Sequence, residues 1–347
     1  MIVKLANLIS KFFYSAGFFP PARIVEPTKF VNSIKGKPLD VQEYYLKKMS
    51  LYINSTDNSK YYNSLLKALV PEWNKNISTA TFLKTKAMGE SSLSTFREVN
   101  DRNHITFEKI YFLTYLDLKK VQWFQNNIGE LIFDEITYPK IINVFSSDTI
   151  AITYSDFLSL EIIADESQKM EMMLKFTHIF YRKSIKNTNY LNQLSIPEFI
   201  LDFQDHFYFK RCLELARQKL ASNEINFDFF LNFATQSKHI ISHGDIFETN
   251  VFANNTLVDW DNFGIYPIGF DIAFIYHRFL VKYPSLFIFK RWLKVNYEKV
   301  INTKDWQEFE TNVYFFLYIF SAVRFKAGKD FDLEYSLIKR MKMMQNG

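Results

Sequence analysis

The texture of the chain changes along its length, and that change limits the architecture more than any single residue does. Between about residues 79 and 154 the sequence runs in short stretches rich in Phe, Ile, Thr and Tyr, separated by turn-formers: 81–87, 94–99, 104–112, then 141–145 and 149–154. Runs of this kind read as the strands of a small sheet. A helical stretch at about 116–132 interrupts them. From Glu166 onward apolar residues recur at helical spacing, broken by Pro197 and by a polar stretch at 222–226, and long helices close the chain from about Asp271. Within that half sits a smaller strand cluster at 238–242, 250–253 and 256–258. Strands first and helices later predict an α+β protein with a small β-rich lobe beside a larger helical one. Residues 1–78 read as helices and loops, so the expected division is a helical N-terminal extension (1–78), a small lobe (79–154) and a helical lobe (155–347).

Composition excludes several classes. With 9 Gly, 9 Pro and one Cys in 347 residues that are 48% hydrophobic, the chain is neither collagenous, disulfide-stapled nor disordered. Cys212 has no intrachain partner, which points to a reducing, cytoplasmic setting, and its helical apolar surroundings predict a small core residue. No stretch of about 18 residues is apolar and uncharged enough to span a bilayer. Ile2, Leu5, Leu8, Ile9, Phe12 and Phe13 recur at helical spacing, and Lys11 interrupts any signal-peptide core. That leaves a helix over 1–19 packed on the protein's own body or resting on the inner face of a membrane. The net charge of +5 is spread along the chain and implies no nucleic-acid partner.

Glycine is scarce, so its placement is informative. Gly244, Gly264 and Gly269 are three of the nine, and around them run His243-Gly244-Asp245 with Asn250 five residues after the Asp, then Asp259-Trp260-Asp261, then Asp271-Ile272-Ala273. Carboxylates and an amide packed between apolar strands cost several kcal/mol unless they are paired or bind a cation, on the order of the usual penalties. A metal site is the natural explanation. This window resembles the aminoglycoside phosphotransferase and choline kinase family, whose fold is bilobal and protein-kinase-like. Four fixed residues at about one in twenty each give roughly 0.002 chance matches in a chain this long.

The resemblance implies ATP and Mg²⁺ as cofactors, transfer of the γ-phosphoryl group to a hydroxyl of a small molecule or saccharide, and roles for named residues. Asp245 is the expected catalytic base. Asn250, Asp259 and Asp261 supply hard oxygen ligands for Mg²⁺. His243 and Asp271 brace the loop. Upstream, a turn with Gly89, Ser91 and Ser92 is positioned to cover the ATP phosphates, and Lys109 stands where the family's strand lysine contacts them. Glu130 is the nearest candidate to pair with Lys109. Residues 153–158, Tyr154 among them, connect the lobes and are expected at the adenine edge. For the acceptor, Glu248, Asp261, Trp292, Trp306 and Tyr314 are available, although aromatics on such late helices are more often core than cage. Two rivals are an atypical protein kinase and a pseudokinase-type nucleotide-binding scaffold. The first lacks support because Gly244 and Phe247 occupy the places of its loop Arg and Lys; the second because Asp245, Asn250 and Asp259 are all intact.

Overall fold

A computed structural model describes residues 26–46, 59–73, 75, 77–83, 92–101, 103–112, 118–132, 134–197, 203–279, 286–328 and 331–346. The chain divides into two compact units, Met1–Leu116 with Ile141–Phe157, and Asp117–Lys140 with Leu158–Gly347.

The first unit is built on a five-stranded antiparallel sheet of β1 (Ile77–Leu83), β2 (Ser92–Asp101), β3 (His104–Phe112), β4 (Ile141–Ser146) and β5 (Ile150–Asp156), in the order β1-β2-β3-β5-β4. Strand alternation gives β3 two faces. Ile110 packs with Ile150 and Ile152 of β5 and with Phe30, Val31 and Ile34 of α1 (Pro27–Ile34) and Tyr62, Leu65 and Leu66 of α2 (Ser59–Leu69). The helices before the sheet therefore share its hydrophobic core, and 1–78 does not form a separate body as far as it is described. Their docking also covers a buried polar network. Arg97 donates Nε to Glu108 Oε1 at 2.7 Å and Nη2 to Oε2 at 2.8 Å, while Nη1 reaches Asn63 Oδ1 at 2.8 Å. Tyr154 donates to Glu108 Oε2 at 2.5 Å and accepts from Trp73 Nε1 at 2.7 Å. The Arg97 guanidinium lies 4.6 Å over the Tyr62 ring. Burial opposes the Arg97 charge, but the Glu108 carboxylate outweighs it and holds the guanidinium pKa above its ordinary value.

The second unit is mostly helical. It contains α3 (Leu118–Asn127), α4 (Gly129–Ile132), α5 (Glu166–Lys186), α6 (Thr188–Gln193), α7 (Phe207–Ala221), α8 (Phe227–Gln236), α9 (Phe270–Phe279), α10 (Leu286–Tyr297), α11 (Trp306–Lys326) and α12 (Phe331–Asn346). Apolar all round, α11 buries an unbroken run from Thr311 to Ala322 and forms the axis of the unit. Residues 117–140 were expected with the small lobe but belong here. Phe124 of α3 stacks on Trp260 with centroids 4.7 Å apart, and Thr137 bridges to Thr256. No described helix is long and apolar enough to cross a membrane. Cys212 is fully buried, as its neighbours predict, and burial pushes its thiol up to about 11. The amphipathic segment 1–19 lies outside the described residues.

Candidate functional site

Two small antiparallel pairs carry the polar window. β6 (His239–Ser242) pairs with β9 (Gly264–Pro267), setting Ser242 opposite Gly264. β7 (Val251–Phe252) pairs with β8 (Thr256–Leu257) through a tight turn in which Asn254 and Asn255 both take positive φ, 57° and 56°, as such hairpins require. The sequence pattern located β6, β7 and β8 but passed over β9, because Gly264 and Pro267 weaken a strand signature. Gly264 is needed there: a Cβ would stand 2.1 Å from the Tyr266 ring.

Hairpin closure puts the two ends of the window side by side. Val258 N donates to Asn250 O at 3.0 Å, extending the ladder one step past Val251 and Leu257, so Asn250 and Asp259 leave the hairpin as near neighbours. Asn250 Nδ2 is committed to the Asp245 backbone oxygen at 3.0 Å and to Asp245 Oδ2 at 3.3 Å. Among the described residues its amide oxygen accepts only from the Thr249 hydroxyl, at 3.4 Å. Asp259 has φ 66° and ψ 59°, a left-handed conformation uncommon for a non-glycine residue. Trp260 anchors that turn by stacking on Phe124, meeting the His243 ring edge-on at 4.6 Å, and donating Nε1 to Leu257 O at 2.9 Å.

The loop before Asn250 is held from below. The Asp271 carboxylate accepts from His243 N at 3.1 Å and Gly244 N at 2.9 Å. His243 Nδ1 accepts from Asp245 N at 3.2 Å, so its Nε2 carries the proton and donates to Val258 O at 3.1 Å. One ring thus ties the loop to the strand that leads into Asp259. Gly244 takes φ 79°, and a Cβ there would stand 2.2 Å from Asn262 O, so this position admits only glycine. Burial drives the Asp271 pKa up to about 6 against the two N–H donors, and drives His243 down to about 4. Asp245 is pushed up to about 7, first by burial and then by the Asp259 charge, with Asp261 adding to the push and Arg278 and the Asn250 amide opposing it. A carboxyl poised near neutrality beside other carboxylates is suited to accept a proton or to be relieved by a cation.

No family model matches the chain, and no curated protein matches its sequence. Solved structures that resemble it include an ethanolamine kinase from Plasmodium vivax, at 12% identity over 85% of this chain and 89% of that one with a TM-score of 0.45. An aminoglycoside phosphotransferase of type VIII matches at 10% identity over 74% of this chain and 97% of that one, with a TM-score of 0.43. One from Streptomyces rimosus matches at 12% over 76% and 98%, with a TM-score of 0.39. The likeness is distant at these values, and residues 203–279 themselves bear on function.

The other expected residues fall out unevenly. Gly89 and Ser91 lie outside the described residues, and Ser92 opens β2 opposite Tyr111. Lys109 is buried on β3, on the face opposite Glu108, with its Nζ 4.6 Å from the Tyr111 ring centroid. Tyr154 is a correction. Its backbone is paired on both sides, to Glu108 and Asn143, and its side chain is spent on Glu108 and Trp73, so it has nothing to offer an adenine ring. Glu130 is an exposed residue of α4, in the helical unit. Tyr314 and Trp306 pack in the late-helix core, and Trp292 stacks on Phe289 at its edge.

Two residues that the motif does not contain also belong to the site. His206 caps α7, its Nδ1 accepting from Phe209 N at 3.3 Å, and its Nε2 therefore donates to Gly244 O at 2.8 Å. Burial holds it neutral, with a pKa near 3, lowered to about that value by desolvation. No sequence signal marks it, since histidine is not a usual cap. Arg278, two turns after Asp271 on α9, lays its guanidinium 4.7 Å over the ring of Phe247 in the loop.

Proposed function

We propose that the chain is an ATP-dependent phosphotransferase that moves the γ-phosphoryl group to a hydroxyl of a small molecule or saccharide. The observation that carries this reading is the arrangement of Asp245, Asn250 and Asp259. The Asn250 amide nitrogen is tied to Asp245, which leaves its oxygen as the atom to offer a ligand, and the hairpin brings Asp259 alongside. The donor set fits Mg²⁺. It consists of oxygens only, and the like charges that raise the Asp245 pKa are the kind a divalent cation offsets. Among the described residues no group of three or more His, Cys, Asp or Glu is arranged to hold a metal ion by itself. Mg²⁺ characteristically takes one or two carboxylates together with substrate phosphates.

In this reading Asn250 Oδ1 and the Asp259 carboxylate hold the ion, with Asp261 as a further ligand. The bound ion would neutralise charge on the transferred phosphoryl group. Asp245 orients the acceptor hydroxyl and takes its proton. His243, Asp271 and His206 keep the Asp245 backbone in place. Lys109 is the proposed phosphate contact of the sheet unit.

The test joins binding to turnover. Mg·ATP should raise the melting temperature of the wild type and of Asp245→Asn alike. ATP consumption across choline, aminoglycosides and a sugar panel should fall roughly 10²–10⁴-fold in Asp245→Asn, the usual contribution of a general base. Absence of any stabilisation by Mg·ATP would overturn the assignment. Stabilisation with no turnover of any acceptor would point to a nucleotide-binding scaffold.

A further inference from the structure

Arg278 is a strong charge beside the loop that the chemistry above leaves unused. Its guanidinium is exposed and held among three rings, 4.7 Å over Phe247, 5.4 Å over Tyr208 of α7 and 5.6 Å over Phe274 of α9. Phe247 follows Asp245 by two residues, so one short loop carries both the carboxyl and the ring on which the guanidinium rests. Among the described residues no carboxylate forms an ion pair with Arg278, although Glu248 is exposed in the same loop. Arg211, exposed one turn after Tyr208, and Arg324 of α11 add positive charge around the Tyr208 hydroxyl. Three arginines therefore gather around Tyr208, next to the Phe247 ring on which Arg278 rests, and an ammonium group arriving at that cluster would meet like charge.

We infer that Arg278 binds an oxyanion on the acceptor, and that the acceptor is an alcohol carrying a carboxylate or a phosphate ester rather than an ammonium group. A planar guanidinium pinned by aromatic rings presents its N–H fork in a set direction, which suits bidentate recognition of carboxylate or phosphate. Being pre-oriented, it loses less freedom on binding than a flexible lysine would. The same contact would place the far end of the acceptor so that a hydroxyl falls on Asp245. This inference deepens the phosphotransferase reading and rests on it for the identity of the reaction, though not for the oxyanion contact itself.

Four matched pyranoses separate the possibilities: glucose, glucosamine, glucuronate and glucose 1-phosphate, each offered to the full chain with Mg·ATP while ADP formation is followed. Glucuronate or glucose 1-phosphate should show a KM at least tenfold below those of glucose and glucosamine, and the better of the two identifies the anion. Arg278→Gln should raise that KM tenfold or more and leave the Mg·ATP thermal shift unchanged, while Arg278→Lys recovers part of the loss. If none of the four is turned over, calorimetric titration with sulfate decides. An isotherm present in wild type and absent in Arg278→Gln supports the oxyanion site; no binding, or equal binding in both, overturns it. Preference for glucosamine, or an Arg278→Gln effect confined to kcat or to Mg·ATP, also overturns it, since Arg278 would then serve Asp245 or the nucleotide. Failure of Mg·ATP to bind wild type would sink the phosphotransferase reading while leaving the sulfate result standing.

Discussion

Arg97→Met removes the cation from a carboxylate that has no route to water, since both side chains of the Arg97–Glu108 pair are 0% exposed. Glu108 would keep the Tyr154 hydroxyl but lose both guanidinium bonds, and Asn63 would lose its donor. Breaking one side of a buried pair costs about 3–5 kcal/mol, more than the pair itself contributes, because the remaining charge is stranded. In a unit of roughly 130 residues the entropy of unfolding is about 0.3 kcal/mol per degree, so the sheet unit should melt about 10–17 °C lower. Scanning calorimetry of the full chain measures this. The double variant Arg97→Met/Glu108→Gln leaves no buried charge and preserves an acceptor for Tyr154, and it should recover at least half of the loss. A single variant that costs less than about 1 kcal/mol, or a double variant no more stable than the single, would refute the reasoning, for either result means that the charge is not stranded.

Three further outcomes follow from the helical unit. Gly244→Ala forces a Cβ to within 2.2 Å of a backbone oxygen at φ 79°, so the loop must shift and acceptor-dependent ATP turnover should fall about tenfold or more while the fold, read by circular dichroism, persists. His206→Gln can still accept from Phe209 N and donate to Gly244 O, whereas His206→Phe can do neither; kcat should drop in the Phe variant and be restored in the Gln variant, with the Mg·ATP thermal shift unaltered in both. His277 is buried, with its pKa lowered to about 3, first by desolvation and then by Arg278, and its Nε2 has no partner among the described residues. A depressed histidine pKa gives stability that is complete above pH 6.5 and lost as pH falls toward 3. Between pH 7 and pH 5, His277→Phe should therefore lose about 2 kcal/mol less than wild type in urea denaturation, and an equal loss in both would show that the ring titrates normally.

Much of the site was legible because its contacts are local. Asn250 reaches back five residues to Asp245, and the β7–β8 hairpin closes over a short turn, so the spacing of His243, Asp245, Asn250 and Asp259 already implied a folded loop. The sheet was legible because its strands are short runs rich in Phe, Ile, Thr and Tyr separated by turn-formers, a signal that is also local. Tyr154 was misplaced because a tyrosine near the end of a strand looks alike whether it faces a cleft or a core. Only the arrival of Trp73 and Glu108 distinguishes the two, and Trp73 lies 81 residues away.

Sequence alone marked most of the strands and helices, β9 excepted, and the loop that bears Asp245, because propensity, turn chemistry and short-range hydrogen bonds act between neighbours in the chain. Tertiary structure decided that the first helices cover the sheet, that 117–140 joins the helical unit, that His206 supports Gly244 across 38 residues, and that Arg278 meets Phe247. Those contacts join residues far apart in sequence, and it is the packing of apolar faces that brings each to its partner.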